Sequence, residues 1–253
     1  MATSLHTLIQ TLDDWMQTDS FNDYAPNGLQ VEGRDHVHKL ALGVTASAAV
    51  IEQAVAWGAD ALLVHHGYFW KNEPATLTGI KGRRIRALLE NQISLIAYHL
   101  PLDCHPEFGN NKTLLDRLDL PGGSPIDGEE GLLWSVALDG QLTLDQLAAL
   151  IASRLNRTPM VIQSPRAKDR LDCMIVCTGG AQDYIAKAQR YGADTYLSGE
   201  ISERTTHEAR ELGVHYIAAG HHATERYGVQ ALGSKIKDDM GLEIAFFDDH
   251  NPA

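Results

Sequence analysis

The chain has 253 residues, 44% apolar and 21% charged, with a formal net charge of −12. This is globular rather than disordered composition, with room for one large domain or two small ones. So acidic a surface argues against direct nucleic-acid binding, although bound metal would reverse the local field and admit a small anionic ligand.

The first segment, MATSLHTLIQTLDDWMQ, reads as an amphipathic helix. Leu5, Leu8, Ile9, Leu12 and Trp15 share one face, and Asp13 and Asp14 are expected on the other. It lacks the basic start and long apolar core of a signal peptide. No apolar run reaches the roughly 20 residues needed to cross a bilayer. Cys104, Cys173 and Cys177 have no zinc-knuckle spacing, and the run LDCMIVC reads as a strand with buried thiols. On these features the cytoplasm is the expected compartment, with no membrane association.

The next segments repeat. Residues 42–67 read LGVTASAAVIEQAVAWGADALLVHHG, and residues 175–200 read IVCTGGAQDYIAKAQRYGADTYLSGE. Each copy has an apolar strand, a Thr, a helical stretch, then Gly-Ala-Asp before a second apolar strand. Glycine closing a helix ahead of a strand is the expected punctuation. After a further helix, SLIAYHLPLD (94–103) matches HYIAAGHHATE (215–225), so that His99 corresponds to His221 and Asp103 to Glu225. The first copy is longer by YFWKNEPATLTG (68–79), whose aromatics and proline suit a lid or a subunit contact. An internal duplication accounts for the pattern.

Between the copies, PGGSPIDGEEG (121–131) is expected to be a linker. Residues 132–162 read strand, turn, helix, strand, with Thr143 as N-cap and Leu147, Leu150, Ile151 and Leu155 facing inward. LEIAFFD supplies a last strand. The expected boundaries are a first α/β repeat over 1–125, including the N-terminal helix, and a second half over 126–253. Within that half, 126–170 forms a β-α-β insert and the C-terminal strand packs back on the first domain. Strands alternating with helices predict an α/β fold with mostly parallel sheets covered on both faces.

Ligands of open α/β sheets bind beyond the carboxyl ends of the strands, and the imidazoles and carboxylates gather at those ends. His65 and His66 end ALLV, His99 and Asp103 follow SLIAY, Glu200 ends TYLSG, and His221 and Glu225 follow VHYIAA. His221 and Glu225, four apart, share one face of a helix, leaving His222 about 100° away. His65 and His66 are neighbours that a twisted strand end could turn toward two metals. This donor set predicts a pair of divalent ions, with Glu225 the natural bridge. Mixed imidazole and carboxylate ligands suit Zn, Mn or Fe. The scattered His6, His36, His38 and His250 read as surface residues. His207-Glu208 with Glu211 lacks the second histidine of HExxH and reads as a helix surface.

Several motifs together give a resemblance covering nearly the whole chain: DYAPNGLQVEG (23–33), GVTAS (43–47), GADALLVHHGYFW (58–70), HLPLDCHPEFGNN (99–111), SGEISE (198–203) and AAGHHATER (218–226). With them the chain resembles the GTP cyclohydrolase I type 2 homologues, or NGG-interacting-factor-like proteins, in their short bacterial form. The resemblance implies two intertwined α/β/α domains, a dinuclear metal centre and a toroidal homohexamer. It matches metal ligands to His65, His66, Asp103, His221 and Glu225, and leaves His99 as a residue that orients Asp103 or a metal water.

The function expected is therefore a divalent-metal-dependent, cyclohydrolase-like hydrolase of a small molecule, such as a nucleotide with a C–N or phosphoester bond to break. His99, Glu200 and His222 are the candidates for general acid and base. Thr178-Gly179-Gly180 before a helix is a further candidate for holding phosphate. No GxxxxGKS, GxGxxG or GxSxG motif occurs, which argues against ATPase, dehydrogenase and serine-hydrolase readings. The alternative is a non-catalytic metal-binding oligomer that acts as a scaffold or regulator.

Overall fold

The computed structural model describes residues 2–120 and 122–253. Its first compact unit comprises residues 1–108 and 229–250, and its second residues 109–228 and 251–253.

The first unit opens with the helix Leu5–Met16, whose N-cap Ser4 accepts the Thr7 amide. Its apolar face is buried as the spacing predicts, through Leu5, Leu8 and Leu12. Asp13 departs from expectation. It does not face solvent but accepts a hydrogen bond from the Tyr98 hydroxyl at 2.7 Å.

Among the described residues this unit carries a five-stranded sheet in the order Glu243–Phe246, Lys39–Thr45, Ala61–His66, Ser94–Ala97, Gly28–Val31. The first four strands run parallel and only Gly28–Val31 is antiparallel. Alternate side chains feed opposite faces, as the pleat requires. Leu40, Leu42, Leu63 and Ile96 pack against the N-terminal helix and Val229, Leu232 and Ile236. Ala41, Leu62, Val64 and Leu95 pack instead on Val50, Ile51, Ala54, Ile85 and Leu88 of the helices Ala48–Trp57 and Gly79–Glu90. The result is an α/β/α sandwich.

The second unit repeats the plan with antiparallel additions. Its six-stranded sheet, again among the described residues, runs Ser124–Pro125, Trp134–Thr143, Arg170–Cys177, Thr195–Ser198, His215–Ala218, Met160–Ile162. The middle strands Arg170–Cys177, Thr195–Ser198 and His215–Ala218 are parallel, and those flanking them are antiparallel. Met174, Val176, Leu197 and Ile217 cover one face with the helix Leu144–Leu155, capped by Thr143 as expected. Ile175, Cys177, Tyr196 and Tyr216 cover the other with Ile185, Ala188 and Ala209. Of the expected linker, Pro121 lies outside the described residues. The remainder is not a free connector, because Ser124 and Pro125 pair with Ser135 and Trp134.

The Gly-Ala-Asp motifs show why the two copies share a sequence. Gly58 caps its helix at φ 75°, a left-handed conformation that glycine adopts without steric cost. The following Asp60 accepts the backbone amides of His38 and Lys39 at 2.9 and 3.0 Å, tying down the start of the neighbouring strand. In the second copy Asp194 accepts the amides of Asp172 and Cys173 in the same way. Burial by itself would raise the Asp60 pKa, but these amides and Arg34 at 2.6 Å hold it below the usual carboxylate value. Asp60→Ala is expected to cost about 2–3 kcal/mol in chemical denaturation at neutral pH, since it orphans buried donors. Because the folded-state pKa lies below the unfolded one, this contribution is complete above a pH of about 4 and is lost as pH falls through the folded value. Wild type and variant should therefore converge in acid.

Candidate functional site

In the first unit, the end of the strand Ala61–His66 and the residues after Ser94–Ala97 bring imidazoles together. The ring nitrogens of His65, His66 and His99 can all lie within 4.8 Å of one another, an arrangement able to hold a metal ion. The two adjacent histidines do not diverge as strand neighbours ordinarily would: their ring centroids are 4.4 Å apart. His65 is fully buried, with Nδ1 donating to the Tyr98 carbonyl at 3.0 Å. A carbonyl only accepts, so Nδ1 carries the proton and Nε2 is the atom turned toward Asp103 Oδ1, 3.5 Å away. His66 Nδ1 lies 3.1 Å from the Thr45 hydroxyl. Asp103 is buried in the short helix Leu100–Cys104.

His99 is held by residues to which the sequence assigned no role. Its Nδ1 is 2.6 Å from Asp23 Oδ1, and its backbone amide donates to Asn27 Oδ1 at 2.8 Å. The other Asp23 oxygen accepts the Leu100 amide and the Asn27 side chain, both at 2.9 Å. Burial would push the Asp23 pKa up, but His99, Asn27 and the Leu100 amide bring it down to about 2. The motif DYAPNG is thus the cradle of His99. Its Asp and Asn, set around a turn just before a strand, were the available signal. Trp70 stands edge-on to His99, with centroids 4.9 Å apart.

The second unit builds a similar device. His221 opens the short helix His221–Thr224 and Glu225 follows it directly. His221 Nδ1 lies 2.7 Å from Glu200 Oε1, and its Nε2 lies 3.0 Å from the buried Glu225 Oε2. Burial would lower the His221 pKa, but the hydrogen bond and charge of Glu225, then those of Glu200, raise it to about 9. Without metal, the imidazole is a cation clasped by two carboxylates. The Tyr216 hydroxyl donates to the Glu200 carbonyl and so anchors the end of its strand. His222 is buried.

Gly179 closes this pocket from beneath. A Cβ there would fall 1.9 Å from Glu225 Oε1 and 3.2 Å from His221 Nε2. The expectation that Thr178-Gly179-Gly180 holds phosphate does not fit the first two residues. The Thr178 amide donates to Asn111 Oδ1 and the Gly179 amide to Thr224 Oγ1, so both are already engaged within the protein.

The donor sets fit a divalent metal. In His65–Asp103 and in His221–Glu225, one ring nitrogen is backed by an acceptor while the other faces a buried carboxylate. A neutral His65 turns a lone pair toward the Asp103 carboxylate, and at His221 a proton sits between the ring and Glu225, so each pair is built to hold a cation between its members. Backing by an acceptor is also how metal-bound histidines are oriented. His207, set aside above, is exposed on the helix Glu203–Leu212 and bonds to Glu203 one turn earlier.

The model of the Duf34/NIF3 (NGG1p interacting factor 3) family matches residues 3–252. An Allochromatium vinosum protein named GTP cyclohydrolase 1 type 2 homolog is 52% identical, covering 99% of this chain and 98% of its own. A Vibrio cholerae protein of the same name is 51% identical over 95% of this chain and 96% of its own. Among solved structures, the protein ybgI, described as of unknown function, has a TM-score of 0.92 at 42% identity, covering 99% of this chain and all of its own. A Thermus thermophilus protein has a TM-score of 0.88 at 32% identity, with 99% and 100% coverage. The chain belongs to the Duf34/NIF3 family.

Proposed function

We propose that this chain is a dinuclear divalent-metal-dependent hydrolase of cytoplasmic small molecules, its two ions of Fe, Mn or Zn held by His65, His66, Asp103, His221 and Glu225. The observation that carries the reading is the imidazole with one nitrogen backed and the other turned to a buried carboxylate, built once in each unit. The relatives' name supports a substrate of the cyclohydrolase kind, a nucleotide or related ring in which a C–N bond is opened, with a phosphoester as the other candidate.

Paired divalent ions supply water that ionises near neutral pH. The chain's own residues do the rest. Burial of His65, Asp103 and Glu225 excludes bulk solvent from the donors. Glu200, more exposed than its partners, orients His221 and is placed to exchange protons with solvent. His99, fixed by Asp23 and Asn27, is the second proton-handling group, and His222 the third candidate. Asp23→Asn keeps the shape of the cradle but removes its charge. It is expected to lower turnover about tenfold at unchanged metal content, as loss of an orienting partner does.

The deciding experiment is elemental analysis of untagged, metal-reconstituted protein, followed by turnover of nucleotides, phosphoesters and cyclic amides. Near two equivalents of metal with metal-dependent turnover is the expected result. Metal without turnover across the panel would favour the scaffold reading, and less than one equivalent would overturn both. We further propose a ring-shaped homohexamer, for which Leu77 and Ile80, exposed around the 68–79 insertion, are the contact candidates. Native mass spectrometry reads it directly. No helix among the described residues is long and apolar enough to cross a membrane.

A further inference from the structure

The second unit contains a cleft of about 520 Å³, lined among others by Arg157, Pro159, Met160, Gly199, Glu200 and Ile201. That volume falls within the roughly 300–1,000 Å³ of small-molecule sites. Arg157 follows Asn156, which ends the helix Leu144–Leu155 in a left-handed conformation and turns the chain back over the sheet. The Arg157 side chain lies across Gly220, where an added Cβ would come within 2.5 Å of its Nε. That nitrogen is shielded from solvent and has no hydrogen-bond partner among the described residues. The surrounding chain is strongly acidic, yet no carboxylate among the described residues pairs with this guanidinium.

Burying the guanidinium Nε without an acceptor is costly, and an oxyanion docking on this half-buried side chain offsets that cost. Arginine's planar fork takes phosphate or carboxylate oxygens two at a time. The cleft's other walls, Pro159, Met160 and Ile201, offer an apolar surface to the body of a ligand. Glu200 lines the same cleft while holding His221 Nδ1 at 2.7 Å, so the cleft adjoins one of the residues assigned above to metal.

We propose that Arg157 and this cleft form a recognition site for the oxyanion head of a small molecule, whose apolar or planar body lies against Pro159, Met160 and Ile201. That this molecule is the hydrolase's substrate rests on the metal-dependent reading; the anion site itself does not.

The test is calorimetric titration of inorganic phosphate and of acetate into the full chain, both chelated and metal-reconstituted. Arg157→Gln removes the charge, and Met160→Glu places a like charge at the exposed rim of the cleft. Wild-type protein should bind at least one of the two anions even after chelation. Arg157→Gln should weaken that binding about tenfold or more, as loss of a charge-assisted hydrogen bond does. Met160→Glu should weaken it less, with melting temperature and metal content unchanged in both variants. Preference for phosphate marks a phosphorylated ligand, and preference for acetate a carboxylate. Equal affinity in wild type and Arg157→Gln, or no binding of either anion by the chelated wild type, overturns the proposal. Anion binding that depends on Arg157 in a chain that takes up no metal would leave this site standing and remove the hydrolase reading.

Discussion

Asp103→Ala and Glu225→Ala are each expected to weaken metal retention more than about a hundredfold, since loss of a mere orienting partner already costs 10–100-fold. Turnover should fall with the metal. Both carboxylates are buried, 7% and 3% exposed, and each faces an imidazole Nε2. In the metal-free chain, removing Asp103 relieves the desolvation cost of a buried carboxylate, whereas removing Glu225 breaks its pair with the His221 cation. The Asp103 variant should therefore melt close to the metal-free wild type and the Glu225 variant below it. What they lose is the rise in melting temperature on metal addition, because a ligand stabilises a fold only through its affinity for it. Parallel thermal scans with and without metal separate this from simple unfolding. An Asp103 variant that melts far below metal-free wild type would show a structural role, and either variant with undiminished metal content would remove its residue from the ligand set.

Two glycines give the second test. Gly58 and Gly179 both have positive φ, 75° and 69°, so alanine at either costs about 1–2 kcal/mol in backbone strain. They differ in what the new methyl meets. At Gly58 it meets nothing within 4 Å, whereas at Gly179 it lands 1.9 Å from Glu225 Oε1 and 3.2 Å from His221 Nε2. Gly58→Ala is expected to lower stability by that strain alone and to leave metal uptake intact. Gly179→Ala is expected to displace Glu225 and abolish metal-dependent turnover. A metal titration giving the same affinity for both variants would show that Gly179 does not shape the pocket.

Much of this architecture is legible in local sequence because it rests on periodicity. The alternation in LALGVT and LDCMIVC sends successive residues to opposite cores, and the spacing of Leu5, Leu8 and Leu12 buries one helical face. The repeated Gly-Ala-Asp was readable as helix end and strand start. Its aspartate was not readable as a clamp, because its partners at 38–39 and 172–173 precede it by about twenty residues. The pairing of His221 with Glu225 followed from their spacing of four.

Contacts between distant segments leave no such trace. Asp13 looked like a solvated helix residue until Tyr98, 85 positions away, proved to donate to it. Asp23 and Asn27 looked like turn residues, yet they hold His99 across 76 and 72 positions. The Thr178 and Gly179 amides looked free for phosphate, but Asn111 and Thr224 take them. Residues 229–250 rejoin the first unit, with Glu243–Phe246 hydrogen-bonded beside Lys39–Leu42. The amino-acid order alone determined the element types, the duplication and the candidate donors, because those follow from side-chain period and short spacing. Which polar groups meet was decided only by the folded chain, since most buried donors take an acceptor wherever the backbone brings one.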